Sequence, residues 1–131
     1  MRLAKFAVAW CGGLIAFFGV LYLVAARPML SYAEIVDPPA SALTDLRVMY
    51  AALQIAPGVF CLAALRRERW LEPALFLCAL TFTLIPAVRL LGMALEGSVN
   101  QYHVTAIAIE IATGAFAWFA WRGLQSARSP A

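Results

Sequence analysis

Charge is what this chain has least of. Only 13% of its 131 residues are acidic or basic, against 64% apolar. A soluble domain of that length exposes too much of its surface to hide such a share of apolar side chains. Histidine is nearly absent as well. His103 stands alone, which excludes a haem held by two histidines of one chain and leaves a zinc site short of ligands. The three cysteines, Cys11, Cys61 and Cys78, form no C-x-x-C pair and fall toward the same end of their helices. That placement argues against thiol-oxidase chemistry; small buried hydrophobes are the expected role, ahead of a soft metal held by three thiols. The chain lacks a glycine-rich phosphate loop and a serine–histidine–acid set, so neither nucleotide hydrolysis nor acyl transfer is indicated. No metal and no cofactor is expected.

What the chain does have is long uncharged runs. Phe6–Ala26 covers 21 residues and Val48–Leu65 covers 18, each enough to cross a hydrocarbon core of about 30 Å as a helix. Pro73–Val88 becomes a full span if Arg89 lies within it and the helix continues to Leu95. Tyr102–Trp121 is interrupted only by Glu110. The expected fold is all-α: one integral membrane domain, residues 1–131, with helices at about 5–26, 43–65, 71–95 and 101–122. Short connections make an up-down-up-down four-helix bundle the economical topology. The basic "MRLAK" and the "VAA" ending at Ala26 have the outline of a signal peptide. The apolar run exceeds the usual ~7–15 residues, however, so a retained helix is expected. Trp10 before Cys11 speaks against a lipidated cysteine.

Orientation follows from the basic residues. Arg2, Lys5, Arg66, Arg67, Arg69, Arg122 and Arg128 fall on the side shared by both termini, and only Arg27 and Arg47 on the other. Seven against two places both termini in the cytoplasm. Trp70, Trp118 and Trp121 then mark the inner interface, and Tyr32 and Tyr102 the outer one. The net charge of +3 is thus a topology signal, and no nucleic-acid partner is expected. The partners that remain are membrane lipids, a small amphiphile, another membrane protein or a second copy of the chain.

Finer organisation is legible in places. Residues 27–42 read as an extracytoplasmic loop stiffened by Pro28, Pro38 and Pro39, with Ser41 or Thr44 capping the second helix. Ala9, Gly12, Gly13, Ala16 and Gly19 give the first helix a small-residue strip, suited to close packing within the chain or between chains. Pro57 and Pro86 interrupt helices two and three, as packed kinks or as places where a backbone carbonyl opens toward a cavity.

The polar residues converge. Arg89 lies six residues before Leu95, about 9 Å of rise, and Glu110 lies eight after Tyr102, about 12 Å. The two opposite charges therefore share a depth. An isolated arginine at a helix centre costs about 2.5–3.5 kcal/mol on insertion scales, and pairing offsets that. Arg47, Tyr50 and Gln54 are spaced i, i+3, i+7 on one helix face, and His103 and Glu110 are seven apart on another. Glu96 shares a side with Arg89, and Asp45 stands at the entrance. These residues predict one polar cluster between helices two, three and four, facing outward. Its candidate ligand-binding residues are Arg89, Glu110, Arg47, Tyr50, Gln54, His103 and Asp45.

Three segments carry a family resemblance: "DLRVMYAALQIAPGVF" at 45–60, "RLLGMALEG" at 89–97 and "AIAIEIATG" at 106–114. Together they resemble the DUF4345 family of bacterial membrane proteins. Asp45, Arg47 and Tyr50 match its Asp-x-Arg motif and following tyrosine, while Ala51–Ala52 stand where two glycines are usual. Arg89, Gly92 and Gly97 match its helix-three motif, and Glu110 its acid in helix four. The resemblance implies a four-helix protein of the bacterial inner membrane and no particular activity. A more distant likeness, of fold only, is to small DoxX-type membrane proteins, some of them subunits of redox assemblies. Small four-helix multidrug exporters are similar in size but carry an essential acid in helix one, which is uncharged here.

The resulting expectation is a small membrane protein whose outward-facing polar pocket binds an amphiphilic or anionic ligand, or which serves as a subunit of a membrane complex. One alternative is an enzyme on a lipid-soluble substrate, an isomerase or a quinone-linked reductase. There Glu110 or His103 would transfer the proton and Arg89 would stabilise charge. The other is a purely structural accessory subunit, in which the Arg89–Glu110 pair only fixes helix neighbours.

Overall fold

The computed structural model describes residues 1–127; Arg128, counted above among the basic residues, lies outside them. The chain forms α1 (Arg2–Val24), α2 (Ala26–Ser31), α3 (Ala40–Arg47), α4 (Leu53–Ala64), α5 (Glu68–Glu96) and α6 (Gln101–Ser126). One turn of π-helix, Val48–Ala52, joins α3 to α4. No strand occurs among the described residues. Four helical stretches are long and apolar enough to cross a membrane: α1, the continuous run Ala40–Ala64, α5 and α6. Apolar residues occupy every face of these helices, as expected where lipid is the solvent. With 29 residues, α5 is about 44 Å long, more than a hydrocarbon core of about 30 Å requires.

Two expectations about the first connection need correcting. It is not a plain loop, because α2 and the start of α3 occupy much of it. Nor does Ser41 or Thr44 cap the second span. The helix begins earlier, with the extended Pro39 as N-cap and no side-chain cap. Proline's missing N–H and fixed φ suit that boundary. The Thr44 hydroxyl instead donates to the Ala40 carbonyl at 3.0 Å.

The helices pack as two antiparallel pairs, α1 with α4 and α5 with α6, with lighter contact between pairs. At the end carrying Arg2, the Leu65–Arg67 turn and Ser126, here called the base, all four spans share one core. Val8, Cys11, Cys61, Leu71, Leu75, Cys78 and Ala117 lie within it, each essentially inaccessible. At the opposite end, the mouth, the pairs part. A second, smaller core of Tyr22, Ala26, Leu30, Leu43 and Ala51 forms there, without any member from α5 or α6.

Small residues explain the tight pairs. A side chain at Gly12 would lie 2.5 Å from the Cys61 Cβ, and one at Gly58 would lie 2.7 Å from Ala16. The α1 strip therefore serves packing within the chain, backbone against backbone, where lipid gives no hydrophobic drive between helices. Gly13 faces open space. On α5, Pro86 cannot donate to the Phe82 carbonyl four residues earlier. That carbonyl turns to α6, where a Cβ on Gly114 would meet it at 2.8 Å. Proline and glycine together bring α5 and α6 close just below Arg89 and Glu110.

Candidate functional site

Where the two pairs part, a cleft of about 640 Å³ opens. One wall is the outer part of α5, with Leu84, Ile85, Val88 and Met93 supplying aliphatic surface around Arg89 and Gly92. His103, from the first turn of α6, adds to that wall, and Tyr50 of the π turn faces it. Glu34, Glu96, Ser98 and Asn100 border the mouth.

The centre is an ion pair made with two parallel hydrogen bonds. Arg89 donates from Nη2 to Glu110 Oε1 at 2.7 Å and from Nε to Glu110 Oε2 at 3.2 Å. Both side chains are largely withdrawn from the surface, 21% and 13% exposed. This fork geometry is the strongest arrangement open to the two groups and fixes the guanidinium plane. Seven residues before Glu110 on α6, His103 sits on the same face, and its Nδ1 lies 3.0 Å from Arg89 Nη1. Arginine has five N–H donors and no acceptor. His103 Nδ1 must therefore accept, so the imidazole is neutral and carries its proton on Nε2. Among the described residues no protein partner is found for that Nε2–H. The Tyr102 ring stacks beneath, 5.8 Å from the guanidinium carbon to its centroid.

A second device holds the mouth. The Asn100 side chain caps α6 by accepting from the Tyr102 backbone N–H at 2.8 Å, and its Nδ2 donates to Glu34 Oε1 at 2.7 Å. Glu34 has φ of 62°, and nearby Asp37 has 48°, left-handed conformations that non-glycine residues adopt at a cost. Tyr32 stacks on Tyr102 at 6.2 Å, and Tyr22 on Tyr50 at 4.8 Å. The segment after α2 is thus strapped to the start of α6 across the cleft.

Of the residues expected in one cluster, Arg89 contacts both Glu110 and His103, and Tyr50 lines the same cleft as Arg89 and His103. Arg47 is elsewhere. It borders a separate groove between α1 and the π turn, with Leu23, Val48 and Ile55. The reason is local: a π turn takes up an extra residue, so positions before it rotate by roughly 100° from where a 3.6-residue period puts them. The spacing of Arg47 and Tyr50 assumed that period throughout. Gln54 is half-buried on α4 and Asp45 is exposed on α3; neither lines the cleft. Glu34 and Asn100 were not anticipated. Asn100 at a helix start is a capping signal, but its bond to Glu34 joins residues 66 apart, which no local pattern reports.

The charge inventory of the cleft is acidic. Arg89 is neutralised by Glu110, Glu34 and Glu96 border the opening, and among the described residues no second cation lines the cleft. Near the base, Cys61 and Cys78 approach to 3.5 Å between sulfurs, and all three cysteines are buried and free. Among the described residues no group of three His, Cys, Asp or Glu side chains is arranged to hold a metal ion.

Compared with known proteins, residues 3–121 match the family described as a domain of unknown function, DUF4345. The match spans nearly the whole chain, and the protein belongs to that family. No curated protein and no solved structure matches it.

Proposed function

We propose that this DUF4345 member is a multi-pass protein of the bacterial inner membrane, both termini cytoplasmic, that holds a small neutral amphiphile in its mouth cleft. The excess of basic residues around the base supports the orientation. One observation carries the ligand reading: Arg89 and His103, half-buried and with Arg89 held by Glu110 behind it, line a cleft whose wall on α5 is largely aliphatic. Intramembrane ionisable groups are costly and mark functional sites, and a few fixed polar groups within an apolar concavity are the pattern of a small-molecule site.

The same geometry selects the headgroup. With Arg89 paired to Glu110, the donors left over are the His103 Nε2–H and the second N–H on each of Arg89 Nη1 and Nη2, which suit a carbonyl, ether or hydroxyl oxygen. A carboxylate headgroup would meet Glu34 and Glu96 at the entrance. This narrows the expectation of an amphiphilic or anionic ligand to an uncharged one.

The test is native mass spectrometry with a medium-chain alkyl methyl ketone and the carboxylate of equal length. Gly92 lines the cleft, and a Cβ there meets nothing within 4 Å. Gly92→Leu puts an isobutyl side chain into the cleft beside Arg89 and is expected to leave the ion pair intact. The wild type is expected to retain the ketone in preference to the carboxylate, and Gly92→Leu to retain neither. Equal retention by Gly92→Leu, or a preference for the carboxylate, contradicts the reading.

A further inference from the structure

Arg47 lies apart from the cleft, and its surroundings have a chemistry of their own. It directly precedes the uncharged run Val48–Leu65, so its guanidinium stands where the apolar part of the span gives way to polar surface. From it a groove of about 410 Å³ runs between α1 and the second span, lined by Leu23, Val48, Ala51, Ala52, Ile55 and Ala56. Every lining residue except Arg47 is apolar. The three alanines keep one wall low, and the widened π turn sets Arg47 over the groove's end. The side chain is half-buried, yet it has no carboxylate partner among the described residues. The ion pairs found there go to Lys5, Arg27 and Arg89.

We infer that this groove is a site for one anionic glycerophospholipid, its phosphate on Arg47 and an acyl chain along Val48, Ala52, Ile55 and Ala56 against Leu23. A lone cation at the polar–apolar boundary is complementary to a phosphate, and the shallow apolar channel leading from it is complementary to the attached chain. A free phosphate would satisfy only the cation, and a fatty alcohol only the channel. The site stands on different residues from the mouth cleft and does not depend on that reading. One Arg near the membrane surface contributes enough attraction for about a fivefold preference for an anionic over a zwitterionic headgroup.

The experiment is lipid titration of the delipidated protein in detergent, followed by native mass spectrometry. Phosphatidylglycerol and phosphatidylcholine with identical acyl chains are the probes, with inorganic phosphate as competitor. The wild type is expected to retain one phosphatidylglycerol with about fivefold preference. Arg47→Gln should lose the preference and Arg47→Lys should keep it, since a point charge suffices for a phosphate. Ala56→Phe, at an exposed position of the groove, should lose retention of both lipids while Arg47 is unchanged. The proposal is overturned if the wild type retains both lipids equally, if the preference survives Arg47→Gln, if Ala56→Phe retains lipid normally, or if inorganic phosphate displaces the lipid.

Discussion

The two ends of this bundle solve the same packing problem differently. At the base, four helices share a core made mostly of small and aliphatic residues, and a carbon added at Gly12 or Gly58 would collide with the facing helix. At the mouth the helix pairs part, and polar side chains take over: an ion pair with a histidine on one wall, stacked tyrosines on the other, and the Asn100–Glu34 strap across. In a membrane both ends are surrounded by lipid of similar polarity, so hydrophobicity does not account for the difference. Close backbone approach holds the helices of each pair together at both levels, at Gly12 and Gly58 and again at Gly19, and the mouth adds a few directional bonds that border its cavity.

That contrast can be broken most severely at the ion pair. Glu110→Leu leaves the Arg89 guanidinium buried without its carboxylate and should destabilise the protein by about 3 kcal/mol, read as a lowered unfolding midpoint in a bilayer mimic. Adding Arg89→Met to Glu110→Leu should recover most of that loss, since a matched apolar pair replaces a matched ionic one. Stability that stays low in the double variant would show that the pair does more than neutralise charge. At the base, Gly12→Ala places a methyl 2.5 Å from the Cys61 Cβ and should cost about 2 kcal/mol through overpacking. Its neighbour Gly13, with nothing in reach, should accept alanine with no loss and a small gain in helix propensity. Equal effects at Gly12 and Gly13 would mean that α1 and α4 do not mesh as described. Asn100→Ala removes the α6 cap and the tie to Glu34 together, and should cost about 1 kcal/mol. Faster hydrogen exchange should accompany it in residues 32–39 and leave the base untouched.

The membrane spans were legible because a long uncharged run has few alternatives to a membrane helix. The pairing of Arg89 with Glu110 was legible because two isolated charges at one depth, on adjacent helices, each make the other affordable. His103 followed from its seven-residue spacing to Glu110 on a regular helix. Arg47 was misplaced for the complementary reason: its helix is not regular, and neither composition nor hydrophobic period reports the π turn at Val48–Ala52. Ser41 and Thr44 were read as caps from residue type alone, whereas proline geometry at Pro39 set the boundary. The Asn100–Glu34 strap and the apposition of the Phe82 carbonyl with Gly114 join distant segments. They follow only once the helices are assembled.

The Arg89–Glu110 pair fixes the guanidinium against the single histidine of the chain, and that histidine is its own reporter. The decisive measurement is the nitrogen-15 spectrum of the two imidazole nitrogens in lipid nanodiscs, where no other histidine of this protein contributes. The expected result is a neutral ring with a bare Nδ1 and a proton on Nε2, the Nε2 signal moving when the alkyl methyl ketone is added. A proton on Nδ1, or an imidazolium with both nitrogens protonated, would contradict the hydrogen bond from Arg89 and, with it, the donor that the cleft is proposed to offer.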